Sequence, residues 1–482
     1  MSETHLAFSL SRCAVRDRVL IPKYYDPDLK AAAALASASY DLTELGSILL
    51  SGAAGSRLGD WIRREHYGTG RTPYVRTSDL AQWSIRPDYK KGVAQSVYES
   101  LRERQDVRVG DLLMVAHGTY LVGTVAMVGE GEEKLVLQDH IFRLRTDPAS
   151  EISPFYLLAA LSTDFVRRQV RARQFSADII DKIGERHLSI LVPIVRDKPK
   201  RAEIAREVES ILTTQRDTRR RLREATGSDF RMTRERSESR HGFAVPRTQI
   251  QDRVLVPKYY DPVLEHDLSE EKARLSVEWR PLGDLIRSGE LLIGTGVEVG
   301  KMAYGTGDIP FVRTTDIVDW EVRATSRHGV SRAIYEKNAH KAGLSNGDIL
   351  VVRDGTYLVG SSAIVAGGDL PALICGGLYR LRVADNAQFN SFALMASLNL
   401  PIVRRQMRAR QFTRDVIDTL GTRLVEVRIP SLASTYGKQI SEEIASVMEV
   451  KDRIKGRIKS LVSSLDPPAP PILRGRPSWS MR

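Results

Sequence analysis

Nearly every distinctive string in this chain occurs twice, in the same order, and that constrains the fold more than any other feature. Arg18-Val-Leu-Ile-Pro-Lys-Tyr-Tyr-Asp-Pro27 returns as Arg253-Val-Leu-Val-Pro-Lys-Tyr-Tyr-Asp-Pro262, with nine of ten residues identical. The run from Tyr67 to Asp79 returns at Tyr304 to Asp316, and a Trp follows four residues later in each copy (Trp83, Trp320). Gly118-Thr-Tyr-Leu-Val-Gly123 returns at Gly355 to Gly360, and Val166 to Phe175 returns at Val403 to Phe412. The offset is 235 residues at the first block and 237 at the other three. Solenoid repeats have periods of about 20–50 residues, so this is a duplicated domain. A duplicated domain suits a target that itself has two halves.

At 482 residues the chain exceeds what one core usually supports, roughly 250–300 residues. The hydrophobic fraction of 42% with 27% charged residues is that of a globular protein. No apolar run reaches the roughly 18 residues needed to span a membrane. Arg12 and Arg16 break the first apolar stretch, so no signal-peptide core is expected. Cys13 and Cys375 provide neither a disulfide framework nor metal spacing, and a reducing cytoplasm is the expected location. The net charge of +12 and pI of about 9.6 favour a polyanionic partner, most simply nucleic acid.

Each unit reads as short strands followed by helix. The β-branched runs Val107–Val115 and Gly118–Val128 are expected as strands joined at Gly118, with Asp348–Val365 their counterpart. Apolar spacing predicts one helix from Pro154 through Val170. After each unit comes a charged segment with a heptad seam. In the first, the seam is Ile204, Val208, Ile211, Gln215, Thr218, Leu222 and Ala225. In the second it is Ile440, Ile444, Val447, Lys451, Ile454, Ile458, Leu461 and Leu465, with Lys451 the one charged interruption.

The expected class is therefore α+β, two tandem mixed domains separated by two long helices in an antiparallel coiled coil with pseudo-two-fold symmetry. The expected division is 1–196 first domain, 197–228 central helix, 229–250 linker, 251–432 second domain, 433–466 C-terminal helix and 467–482 a disordered basic Pro-rich tail.

Catalytic motifs are not found. Gly296–Lys301 is one residue short of a phosphate-binding loop, and Met302 stands where Ser or Thr should hold magnesium. No nucleophile elbow occurs, the nine histidines lack metal spacing, and Tyr24–Pro27 has the wrong order for a base-flipping methyltransferase signature. A binding protein, not an enzyme, is expected.

Two strings carry a family resemblance: Gly70-Arg-Thr-Pro-Tyr-Val-Arg-Thr-Ser-Asp-Leu80 and Gly307-Asp-Ile-Pro-Phe-Val-Arg-Thr-Thr-Asp-Ile317. Supporting them are Gly110-Asp-Leu-Leu and Gly347-Asp-Ile-Leu, the two Gly-Thr-Tyr-Leu-Val-Gly blocks, and Trp279-x-x-Leu-Gly283 with its weaker partner Leu42-x-x-Leu-Gly46. In this order, with helices between, the chain resembles the specificity (S) subunits of type I restriction-modification systems. The resemblance implies two target-recognition domains, each reading half of a split double-stranded DNA sequence. It implies antiparallel helices that dock two methyltransferase subunits, in a complex that can include restriction/translocase subunits. It implies no cofactor on this chain, S-adenosylmethionine belonging to the methyltransferase. The Lys-Tyr-Tyr-Asp-Pro block departs from that family pattern, so a DNA-recognition adaptor of a different phage-defence or DNA-modification system is the alternative.

Matching segments should do work common to both halves, and differing segments should read sequence. The differing segments are 52–66 against 289–303 and 84–108 against 321–345. DNA contacts are expected from Arg76, Thr77 and Ser78 with Arg313, Thr314 and Thr315, and from His117, Thr119 and Tyr120 with Arg353, Asp354, Thr356 and Tyr357. Arg353 has the fork to take guanine O6 and N7, whereas His117 does not. Arg167, Arg168 and Arg171, with Arg404, Arg405 and Arg408, are expected to form a phosphate-facing helix side, since residues four apart share a face.

Overall fold

The computed structural model describes residues 15, 19–81, 83–86, 91–118, 121–176, 181–227, 242–250, 254–324, 328–355, 358–414 and 417–468. The expected tail lies outside the described residues from 469 onward, as does 229–241 of the expected linker.

Each unit closes on itself before its long helix begins. Tyr40–Glu44 pairs antiparallel with Leu191–Val195, and Trp279–Pro281 pairs antiparallel with Arg428–Pro430. The strand leading into a unit is thus tied to the strand leading out. Inside the first unit a four-stranded sheet runs in the order Ser56–Leu58, Ile141–Leu144, Leu112–Val115, Val125–Met127. Leu112–Val115 and Val125–Met127 are the two strands expected around Gly118, and they pair antiparallel. The second unit repeats that order with Leu291–Thr295, Leu378–Val383, Ile349–Val352 and Ser362–Ile364, then adds Trp320–Val322 and Ile317–Val318.

The single helix expected over Pro154–Val170 is two. Pro154–Leu161 ends at Ser162, and Asp164–Ala172 starts afresh with the Thr163 hydroxyl accepting from the Val166 amide. Ser and Thr compete for backbone hydrogen bonds and favour such caps over helix interiors. Ser162 is also held from outside, since it accepts from Trp83 Nε1 at 2.8 Å.

The repeated glycines have physical reasons. Gly123 and Gly360 have φ of +81° and +80°. A Cβ there would lie 2.9 Å from Val170 Cγ1 in the first unit and 2.9 Å from Met407 Sδ in the second. The repeated Asp of Gly-Asp-Leu and Gly-Asp-Ile is likewise internal. Asp111 binds Arg145 Nε at 2.7 Å, and Asp348 binds Arg382 Nε at 2.7 Å.

The long helices span Lys198–Thr226 and Thr435–Leu465 and lie side by side. Their ion pairs fix the direction: Glu207, near the start of the first, meets Arg457, near the end of the second, at 2.8 Å. Arg221 meets Glu443 at 2.8 Å at the opposite end. The helices are therefore antiparallel, and the two pairs are images of each other about a pseudo-two-fold axis. Ile204, Val208 and Ile211 join Ile454, Ile458 and Leu465 in the first unit's core, with Leu461 partly buried against it. Leu222 joins Ile440, Ile444 and Val447 in the core of the second. Each unit thus packs on the beginning of one helix and the end of the other, which ties both halves of the chain together.

Candidate nucleic-acid interface

The Val-Arg-Thr-x-Asp block forms a strand end and a tight turn. Thr72–Val75 is the strand, and Thr77–Asp79 is one 3-10 turn, mirrored by Thr314–Asp316. The Asp side chain holds the turn by accepting from the Arg76 amide at 2.9 Å, and from the Arg313 amide at 2.8 Å in the second copy. The Asp shared by the two copies is therefore a turn former. Arg76, Thr77, Ser78, Arg313 and Thr314 are half-buried, and Thr315 is exposed. Arg313 is not simply aimed at solvent: its Nη1 lies 3.0 Å from His328 Nε2, and its guanidinium is 5.9 Å from the Tyr304 ring centre. The Thr315 carbonyl accepts from Arg86 Nη2 of the other unit at 2.5 Å. This block therefore sits where the two units touch.

At the Gly118 turn the two copies have distinct chemistry. His117 lies edge-on to His140, ring centres 4.8 Å apart, and its backbone pairs antiparallel with that of Lys182. Burial first, then the charges of His140 and Lys182, push its pKa down to about 4, so the ring is neutral at pH 7. In the second unit Arg353 closes its own fork on Asp354, with Nε at 2.8 Å and Nη2 at 2.6 Å from Oδ2. Asp354 also accepts from Thr419 Oγ1 at 2.5 Å and lies in a strand paired with Ile417–Thr419. The fork expected to meet guanine is thus engaged inside the protein, because the carboxylate of the next residue already satisfies it. Thr119, Tyr120, Thr356 and Tyr357 lie outside the described residues.

In the Arg-rich helices, two of the six arginines expected to face phosphate are buried. Arg168 is buried and bound to Asp164 at 3.0 Å. Arg404 is buried and donates to the Gly360 carbonyl and to Ser361 Oγ. Arg405 pairs with Asp267, and Arg167, Arg171 and Arg408 are half-buried. The other repeated block lies against the same helices: the Lys-Tyr-Tyr-Asp-Pro turns (Pro22–Tyr25, Pro257–Tyr260) and the helices they open (Pro27–Ala36, Pro262–Leu275) pack on them, and Arg405 meets Asp267 of the second of these helices. Tyr24 meets Phe175 and Tyr259 meets Phe412 at ring-centre distances of 5.8 and 6.0 Å.

Two residues outside the expected DNA contacts are prominent on the differing loops. Trp61 is 67% exposed, beside the exposed Arg63 and Arg64, and Met302 is 80% exposed. Both follow a pinned glycine: a Cβ on Gly59 or Gly296 would lie 2.4 or 2.2 Å from a backbone carbonyl oxygen. An aromatic followed by two arginines in a segment that differs between copies was the available signal.

Among the described residues no cluster of His, Cys, Asp and Glu is placed to hold a metal, and no helix is long and apolar enough to cross a membrane.

No protein-family model matches the chain, and no curated protein matches it by sequence. Solved structures do match. The type I restriction-modification system S subunit from M. genitalium is 13% identical, covering 89% of this chain and 96% of that one with a TM-score of 0.31. The HsdS subunit from Thermoanaerobacter tengcongensis is 16% identical, covering 89% and 93% with a TM-score of 0.26. A structure described as concerning complex assembly and conformational transition of the type I R-M system is 15% identical, covering 89% and 94% with a TM-score of 0.26. These three are type I restriction-modification structures, S subunits among them.

Proposed function

We propose that the chain is the DNA sequence-recognition subunit of a type I restriction-modification complex. Each unit reads one half of a bipartite, asymmetric target in double-stranded DNA. The helix pair sets the spacing and docks two methyltransferase subunits, which carry S-adenosylmethionine. The observation that carries this reading is a shared chassis with unlike surfaces. The pseudo-two-fold pairs Arg221–Glu443 and Arg457–Glu207 relate the halves, while the exposed loops differ, Trp61 of one standing where the other has Glu298. Two like scaffolds carrying unlike readers suit two unlike half-sites, because base contacts specify while phosphate contacts position. The net charge of +12 supports a polyanionic target. The first helix of 29 residues is about 43 Å long at ~1.5 Å per residue, a little more than one B-DNA turn of about 34–36 Å.

The test is selection from a random duplex library by the chain assembled with its methyltransferase. The expected product is two unlike short sequences at one fixed separation. A palindrome or a single contiguous site contradicts the reading.

A further inference from the structure

The two units do not stand apart at the ends of the helices; they touch at the pseudo-two-fold axis, around a buried cluster of charges. Arg86 of the first unit is buried and donates to the carbonyls of Ile317 at 2.9 Å and Thr315 at 2.5 Å in the second. Its repeat equivalent, Arg323, donates back to Ser84 Oγ of the first unit at 3.1 Å. Close by lie Asp319 and Glu321 of the second unit. Lys451, the charged interruption in the second helix's seam, is 2% exposed, 3.0 Å from Asp319 and 3.2 Å from Glu321. Arg219 of the first helix binds Asp319 at 3.0 Å and Glu132 of the first unit at 3.4 Å. Arg323 binds Glu321 at 3.0 Å. Three cations and three carboxylates thus join both units and both helices in one network.

The network breaks the symmetry that the rest of the chain keeps. The sequence positions equivalent to Asp319 and Glu321 are Gln82 and Ser84, and the position equivalent to Lys451 is Gln215. Only the second unit carries acids at these two positions, and only the second helix brings the lysine. A buried charge left without its partner is strongly disfavoured, so the cluster is satisfied in one register of the helices and one placement of the units. A polar residue in an otherwise apolar seam is the best-attested device for fixing register.

We propose that the Asp319–Lys451–Arg219 cluster is the positioning element that fixes one recognition unit against the other, and through that sets the spacer between half-sites. The spacer part rests on the proposed function; the placement of the units does not. Helix length alone would let the units rock about the helix pair, and the cluster removes that freedom at its midpoint.

The experiment pairs two readouts on the full chain. Spin labels on Glu103→Cys and His340→Cys, exposed and equivalent by the repeat, report the distance between units in a Cys13→Ser, Cys375→Ala background. The expected result is one narrow distance population that broadens severalfold in Lys451→Met and in the double variant Asp319→Leu with Lys451→Met. The double variant removes both members of the Lys451–Asp319 pair, and retained cooperative melting shows that it is folded. Glu207→Gln, which breaks an ion pair away from the unit contact, should leave the distance narrow. In duplex selection by the assembled complex, the cluster variants should keep both half-site sequences and accept spacers one base pair longer or shorter. A distance population unchanged in a folded cluster variant overturns the positioning role. A broadened distance with no bipartite selection by the unaltered chain leaves the positioning role standing and overturns the DNA reading.

Discussion

Arg410 lies over the ring of Tyr259, its guanidinium carbon 5.6 Å from the ring centre, and the repeat places Arg173 over Tyr24 at 6.0 Å. This pairing joins two repeated blocks that are separate puzzles in the sequence. The Lys-Tyr-Tyr-Asp-Pro turn is a clasp, and the Arg-rich helix end is what it clasps. Arg423 and Arg186 stack on the other aromatic of each clasp, 4.0 Å from Phe412 and 4.2 Å from Phe175. Planar guanidinium groups stack on aromatic faces in this way, which is why arginine rather than lysine recurs here.

Replacing Arg404 by Ala should therefore lower stability rather than weaken a phosphate contact. The buried guanidinium donates to the Gly360 carbonyl and Ser361, so its loss is expected to cost about 2–4 kcal/mol. Thermal melting measures this. A true phosphate contact would instead lower the slope of log affinity against log salt by about 1. Unchanged melting with that lower slope would return Arg404 to the DNA surface.

Asp466 gives the chain a specific pH dependence. It ends the second long helix and accepts from the Phe165 amide of the first unit at 2.9 Å. Burial raises its pKa from 3.8 to about 6. The folded chain then holds the proton more tightly than the unfolded one, so this group's contribution is most favourable below about pH 4 and is lost as pH rises through 6. Asp466→Asn keeps an acceptor for Phe165 and removes the buried charge. It should raise stability at pH 7 by up to about 3 kcal/mol and leave it nearly unchanged at pH 3.5. Urea midpoints at the two pH values decide; an equal shift at both would assign the effect to packing.

Gly360 should tolerate substitution worse than Gly289, although both have φ near +80°. An alanine at 289 meets nothing within 4 Å, so only backbone strain of about 1 kcal/mol is expected. At 360 the new methyl also lies 2.9 Å from Met407 Sδ, and overpacking adds about 1–3 kcal/mol. Chemical denaturation of both variants measures the difference. Equal losses would show that the Met407 side chain yields freely.

Much of the fold was legible because the chain repeats itself. The offset marks two like units, and the seam residues Ile204 to Leu222 and Ile440 to Leu461 are buried or partly buried. What was not legible depended on partners distant in sequence. Spacing presents Arg167, Arg168 and Arg171 as one charged face, but it is silent about a tyrosine turn more than a hundred residues earlier that covers their helix. Lys451 read as a flaw in the seam, because the carboxylates that balance it lie on a hairpin of the second unit. Arg353 is the exception, because its partner Asp354 is the next residue and only the turn geometry brings the two groups together. In each case charge was visible and its satisfaction was not.

Removing one heptad from each long helix should shift the preferred spacer. Seven residues are about 10 Å of helix at ~1.5 Å per residue, or about 3 base pairs at ~3.4 Å each. Such a deletion also withdraws Lys451 from Asp319, so the shortened chain should select a changed and less uniform spacer. An unchanged spacer in duplex selection would reject the helices as the ruler.

Affinity should fall steeply with salt if the basic surface meets the DNA backbone. With about 6–10 phosphates contacted across the assembly, binding is expected to weaken about 10³–10⁵-fold between 50 and 200 mM salt. Fluorescence anisotropy with a labelled duplex measures it, and a flat response would contradict a DNA-backbone contact.

If this one chain specifies a two-part DNA target for a modifying partner, its removal must change the host's modified motifs. Methylome sequencing of a host carrying the gene and its methyltransferase, against the same host with only this gene deleted, tests it most directly. One modified motif made of two unlike halves with a fixed spacer is expected, present with the gene and gone without it. A modification pattern unchanged by the deletion, or a lost motif that is contiguous or palindromic, would contradict it.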